Sequence, residues 1–133
     1  MAELTEQHRE FLANPYAGVA TTLRTDGSPH STVVWVDVDE RGLSFNTARG
    51  RAKPRHLERD PRVALTVVDP QNAYRYLSIS GRAELTEEGA DTQIDRLAKK
   101  YLGKDEYPWR SPDEQRVKVR ITPEKIDSSG FDA

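Results

Sequence analysis

Four cations, Arg49, Arg51, Lys53 and Arg55, fall within seven residues, and no acid appears between Arg41 and Leu57. They lie in the stretch LSFNTARGRAKPRHLERDPRVALTVV, where a strand-like run (Leu43–Asn46) passes through a short loop into a helical segment stopped at Asp60-Pro61. Anion binding is the chemistry such a knot can do. Arg and Lys hold phosphate by charge-assisted hydrogen bonds, and the free N–H groups of a helix start add to them. Pro54 suits the first turn of the short helix, where its missing N–H costs nothing. Lys53 stands ahead of it in place of Ser, Thr or Asp, so the N–H groups there lack a side-chain acceptor. A ligand phosphate would satisfy those groups together with Arg51 and Lys53. On charge spacing alone, a solvated basic turn paired with Glu58 and Asp60 accounts for the same residues.

Two further pairs could face a ligand. Alternation places His30, Thr32, Val34 and Val36 on one side of a strand and Ser31, Val33, Trp35 and Asp37 on the other. His30 and Thr32 could then offer donors and acceptors to a ligand edge, or simply face water at a hairpin mouth. Tyr74 and Tyr76 share a strand face and could stack on a planar ring, although core packing explains them as well. No catalytic constellation emerges. His8, His30 and His56 lack metal-ligand spacing, so no metal site is expected, and Ser31, Ser44, Ser78 and Ser80 lack a nucleophile-elbow context. The catalytic residues stay unassigned; in an enzyme of this kind a bound cofactor supplies the reactivity.

The elements that must position these residues follow from periodicity. Leu4–Ala13 reads as a short helix capped by Thr5, with Leu4, His8, Phe11 and Leu12 on one side. Tyr16–Thr25 and Pro29–Val38 flank Asp26-Gly27, a hairpin signal, and Leu43–Thr47 extends them into a three-stranded meander. Pro54–Arg59 gives a helical turn or two, Arg62–Val68 a strand, and Tyr74–Leu85 a long strand with a bulge at Gly81. Thr86 is expected to cap a second helix carrying Ala90, Ile94, Leu97, Ala98, Tyr101 and Leu102 at helical spacing. A charged, Pro-containing loop (Gly103–Glu114) leads to a final strand, Arg116–Thr122. Six strands in hairpin order with short helices predict a mainly β fold, a small antiparallel barrel filling one domain over residues 1–133.

Composition narrows the function classes. Charged residues make up 32% of the chain and hydrophobic ones 35%, which suits a small closed sheet or a subunit completing its core through a partner. A net charge of -2 argues against general nucleic-acid binding, and no apolar run approaches a bilayer's thickness. The charged segment Met1–Pro15 is unlike a secretion signal, so a cytoplasmic protein is expected. Zero cysteines leave no disulfide or thiolate chemistry.

Three motifs, GVATTLRTDGSPHSTVVWV, LSFNTARGRAKPRHLERDPRVALTV and YRYLSISGRAEL, together with the terminal VKVRITPEKI, resemble the flavin/deazaflavin oxidoreductase superfamily. These are split β-barrels related to pyridoxamine 5′-phosphate oxidase, and the likeness is to the F420-dependent branch. The resemblance implies a homodimer with a cofactor, coenzyme F420 or alternatively FMN, in a groove at the dimer interface. It implies a phosphate clamp at Arg51 and Lys53, cofactor-lining positions at Asn46, Thr47 and Ala48, and ring-facing positions at His30 and Thr32. Tyr74 and Tyr76 match groove residues contributed by the partner chain. His56 stands where the family often has Asn and receives no role. Arg49 and Arg55 suit a longer anionic tail, or face water. The implied activity is hydride transfer from reduced F420 to an electron-poor small molecule. The alternatives are an FMN-dependent oxidase or reductase and a non-catalytic cofactor carrier. The C-terminal IDSSGFDA lacks the basic substrate-binding segment of pyridoxamine-phosphate oxidases, so pyridoxal-phosphate synthesis is not expected.

Overall fold

The computed structural model describes residues 2–131. Its elements run α1 (Glu6–Leu12), β1 (Gly18–Leu23), β2 (Pro29–Val34), β3 (Val36–Asp39), β4 (Gly42–Ala48), α2 (Ala52–Arg59), β5 (Arg62–Asp69), β6 (Asn72–Thr86), α3 (Ala90–Leu102) and β7 (Arg116–Ser129). Thr5 caps α1 as expected. Its hydroxyl accepts from the His8 N–H at 3.1 Å, and its own N–H donates back to His8 Nδ1 at 3.1 Å. That acceptor role leaves the ring proton on Nε2, and burial lowers the His8 pKa in the same direction. Phe11 and Leu12 from the other turn of α1 enter the core.

All strands form one antiparallel sheet in the order β2-β1-β5-β6-β7-β4-β3. Alternate residues, among them Leu65, Val67, Leu77, Ile79, Leu43, Phe45, Val117 and Val119, fill the interior. The two edge strands, β2 and β3, are one stretch of chain broken at Trp35. The barrel therefore closes through a kink, and Pro29–Val38 divides in two, giving seven strands where six were expected. The expected meander holds in order, but β4 pairs only with the second piece. Strict alternation also fails there: Val36 and Asp37 are consecutive and both buried.

Val36 stands opposite Phe45 where β3 begins, and α3 supplies hydrogen-bond partners to its backbone on the other edge. The Val36 N–H donates to Tyr101 Oη at 2.9 Å, and its carbonyl accepts from Lys100 Nζ at 2.7 Å. Lys100 also donates to the Leu12 carbonyl at 2.7 Å, and Tyr101 Oη donates to the Tyr16 carbonyl at 2.8 Å. Burial pulls the Lys100 pKa down to about 8 and pushes Tyr101 up to about 12.

Two other expectations are corrected. Helix α3 begins at Ala90 with Gly89 as N-cap at φ 76°, whereas Thr86 ends β6 and accepts from the Glu88 N–H at 3.2 Å in a preceding turn. Strand β7 continues past Thr122 to Ser129. Pro123 and the polar residues after it hide the strand pattern, but the bulge at Ser80/Gly81 lets pairing resume, with Gly81 opposite Pro123 and Ser80 opposite Lys125. Among the described residues no helix is long and apolar enough to cross a membrane.

Candidate functional site

Strand β4 delivers the basic loop to the start of α2. Arg51 is the N-cap, with extended backbone (φ -83°, ψ 168°) and no side-chain cap bond among the described residues. The helix begins at Ala52, two residues ahead of the expected Pro54, so Arg51 rather than Lys53 takes the cap position. Lys53 and Pro54 occupy the first turn, and Lys53 points inward. Its side chain is buried and donates from Nζ to Thr32 Oγ1 at 2.9 Å. Burial first, then the positive charges of Arg51 and Arg116, lower its pKa. A cation pressed from both sides in this way is short of negative charge.

Arg116 opens β7 directly opposite Ala48 and is only 3% exposed. Its Nε donates to Asn46 Oδ1 at 2.8 Å and its Nη1 to Glu114 Oε1 at 2.7 Å. The guanidinium lies 5.2 Å from the Tyr107 ring centre. Arg116 can only donate, so the Asn46 carbonyl must face it. The Asn46 amide then donates to the Ala90 carbonyl at 2.8 Å and to Gln93 Oε1 at 3.0 Å. Gln93 in turn donates to Asp37 Oδ2 at 3.1 Å and Ser44 Oγ at 2.9 Å, and Asp37 pairs with Arg96. One direction of donation runs through this buried chain and fixes every amide in it.

A cavity of about 200 Å³ opens between these groups. Arg51, Lys53, Asn46 and Arg116 line its polar side, and Val33, Val34, Ile94, Trp35, Tyr107 and Trp109 line the other. Trp35 stacks on Tyr101 (5.4 Å, 8°), and Tyr107 stands edge-on to Trp35 (6.0 Å) and to Trp109 (5.6 Å). Among the described residues, three cations with an uncapped helix start meet a single carboxylate, Glu114, which contacts Arg51 at 3.4 Å. That donor set fits a phosphoryl group, and the aromatic wall fits a flat ring or an apolar linker.

Asn46, Arg51, Lys53 and, through Lys53, Thr32 thus come together. Asn46 is committed to Arg116, Ala90 and Gln93, so its side chain positions the cavity wall. Thr47 and Ala48 are fully buried; Thr47 shares the Phe45 side of β4, and its hydroxyl meets no partner among the described residues. His30 lies outside the cavity lining, edge-on to His56 at 5.2 Å, and its Nδ1 is likewise buried without a partner among the described residues. His56 Nδ1 shares a 2.8 Å hydrogen bond with Thr22 Oγ1, and burial, followed by repulsion from His30 and nearby arginines, lowers its pKa. Tyr74 and Tyr76 are exposed at the far end of β6, where Tyr76 stands between Val68 and Ser129, away from the cavity of their own chain. Arg49 is tied to Glu58 at 2.6 Å and Glu87 at 3.1 Å, whereas Arg55 is exposed.

Sequence reasoning passed over Arg116, Glu114 and Gln93, because Arg116 lies 70 positions from Asn46 and only the register of β4 on β7 unites them. Tyr107 and Trp109 did carry a signal: two aromatics in an otherwise charged loop.

The sequence profile of the pyridoxamine 5′-phosphate oxidase family matches residues 4–130. The chain belongs to that family. Pyridoxine/pyridoxamine 5′-phosphate oxidase of Cronobacter sakazakii is 36% identical over 74 residues, which cover 55% of this chain and 34% of that enzyme. The corresponding enzyme of Rubrobacter xylanophilus is 44% identical over 61 residues, covering 45% of this chain and 28% of the enzyme. The matched stretch therefore spans about a third of the length of these relatives. Among solved structures, an F420 reductase superposes with a TM-score of 0.79 at 28% identity, over 92% of this chain and 98% of that one. A conserved Mycobacterium tuberculosis protein superposes with a TM-score of 0.75 at 26% identity, over 97% and 84%. The family member's fold is the split barrel that the motifs implied.

Proposed function

We propose that this chain is an oxidoreductase that binds a phosphate-bearing deazaflavin, coenzyme F420, and serves hydride transfer to an electron-poor small organic acceptor. The observation that carries the reading is the cation cluster of Arg51, Lys53 and Arg116 at the uncapped start of α2. Support for the cofactor comes from the likeness to an F420 reductase over nearly the whole chain. When bound, the deazaflavin supplies two-electron hydride chemistry; the protein's part is to bind, orient and exclude water. Arg51 and Lys53 would hold the phosphate, Asn46 would fix the wall behind it, and Trp35 and Tyr107 would flank the remainder. His30 and Thr32 would meet the edge of the ring system.

The site is proposed to lie between two copies of the chain. A cavity of about 200 Å³ is small beside the roughly 300–1,000 Å³ of small-molecule sites, which supports a site completed by a second copy. The outward face of β2, β1, β5 and β6 supports pairing. Two adjacent cross-strand rows, Val33, Val19, Thr66, Ser78 and Ser31, Thr21, Ala64, Ser80, form an uncharged patch bounded by Arg62 and Arg82 in a chain that is 32% charged. Tyr74 and Tyr76 adjoin this face, where they could reach the site of a second copy. Fluorescence-monitored titration with F420 and with FMN tests the cofactor: micromolar FMN binding without F420 binding would reassign the chain as an FMN-dependent oxidase or reductase. The clamp itself favours neither, since both cofactors carry a phosphate.

A further inference from the structure

The clamp already contains an anion of its own. Glu114, the last acid before β7, places one carboxylate oxygen 2.7 Å from Arg116 Nη1 and the other 3.4 Å from Arg51 Nη2. The two arginines differ in freedom. Arg116 is 3% exposed and pinned a second time by Asn46, whereas the Arg51 side chain is 49% exposed and, among the described residues, pairs with Glu114 alone. Lys53 lines the same cavity and, among the described residues, meets no carboxylate, only the Thr32 hydroxyl.

We infer that Glu114 is an internal ligand of the clamp: it occupies Arg51 until an external phosphoryl group displaces it, while Arg116 stays in place as a third binding cation. This rests on the phosphate-clamp reading above. The exchange follows from what each partner offers. A carboxylate at 3.4 Å from a half-exposed guanidinium is a long, weak pair, and a phosphate offers shorter charge-assisted bonds to Arg51 and Lys53 together. Arg116 has no such freedom, because leaving its position would strand Asn46 and the Gln93 chain behind it. Glu114 therefore sets the affinity for the anion. It lowers the affinity by competing for Arg51, and in the free protein it offsets the repulsion among three clustered cations.

The test measures inorganic pyrophosphate binding by calorimetry at low ionic strength, using the full chain and the variants Glu114→Gln, Arg51→Ala and the double variant. Glutamine keeps an acceptor for Arg116, so the wall survives while the competing charge goes. Glu114→Gln is expected to bind pyrophosphate about tenfold tighter than the parent chain, the size expected for removing one nearby charge at a partly screened site. Arg51→Ala is expected to bind more weakly, and in that background Glu114→Gln should gain less than half as much on a logarithmic scale. If Glu114→Gln binds no tighter than the parent, the internal-ligand inference is overturned while the clamp stands. If none of the four proteins binds pyrophosphate, the clamp reading fails and takes the inference with it.

Discussion

Lys53 donates its Nζ to Thr32 Oγ1 across 2.9 Å, tying the basic loop to β2 with a charge that its surroundings disfavour. A buried cation whose nearest charges are Arg51 and Arg116 contributes little to the fold, since burial and repulsion both oppose it.

Function and stability should therefore separate at this residue. Lys53→Met is expected to weaken cofactor binding by about 10- to 100-fold, the worth of one charge-assisted hydrogen bond. Its melting temperature should equal or exceed that of the parent chain. Titration and thermal unfolding of the same preparation read both quantities, and a clear fall in melting temperature would show Lys53 to be a structural lysine.

Gln93 should behave oppositely. It is fully buried and joins Asp37 and Ser44 to Asn46. Gln93→Leu preserves volume but strips hydrogen bonds from a buried carboxylate, a hydroxyl and an amide. The expected loss is about 3 kcal/mol in urea unfolding, with weaker anion binding because Arg116 loses the support behind Asn46. A loss under about 1 kcal/mol would mean that water replaces the amide.

The contrast between these residues marks what periodicity and charge spacing could reach. Lys53 and Arg51 announce themselves, being two cations at the start of a helix that has proline in its first turn and no side-chain cap. The strands around them alternate clearly, as in RVALTVV. Gln93 reads as one more polar residue on an amphipathic helix, and its burial depends on the inward polar groups of β3 and β4. The division of Pro29–Val38 at Trp35 was hidden for a similar reason. The break is stabilised by Lys100 and Tyr101, more than sixty positions away. Long-range polar partners leave no local periodicity to read.

That same break should make stability depend on alkaline pH. The Lys100 pKa falls from 10.5 to about 8 on folding, so between those values the unfolded chain holds more protons and stability rises with pH. Tyr101 rises from 10.0 to about 12, so the folded chain holds more protons in that window and stability falls across it. Together they place a maximum near the junction of the two windows. Urea unfolding of the parent chain and of Lys100→Met across the alkaline range checks this. The variant should lose the ascending limb, and an unchanged profile would remove Lys100 from the account.

Gly81 is required by a close backbone approach. A Cβ there would meet the Thr122 carbonyl oxygen at 2.0 Å, at the bulge where β6 and β7 change register. Backbone cannot swing aside as a side chain would. Gly81→Ala is expected to cost about 3 kcal/mol or more, measured by chemical unfolding. A cost near that of a surface substitution would mean that the bulge can slide.

The uncharged patch around Val33 and Val19 makes the last prediction. Val33 is 70% exposed on the edge strand β2 and stands opposite Val19, itself 40% exposed. In a free monomer, Val33→Glu places a charge in water and should leave unfolding nearly unchanged. In a dimer packed through this face, the same carboxylate would be buried beside Val19, Thr21 and Ser31, none of which carries a charge, at a cost of several kcal/mol per ion. Light scattering at micromolar concentration should therefore find the parent chain dimeric and Val33→Glu monomeric. Cofactor affinity should fall as well, because the proposed site is shared by the two copies and Val33 itself lines the cavity. A variant that stays dimeric and binds normally would move the interface elsewhere. A variant that becomes monomeric yet binds normally would place the whole site within one chain.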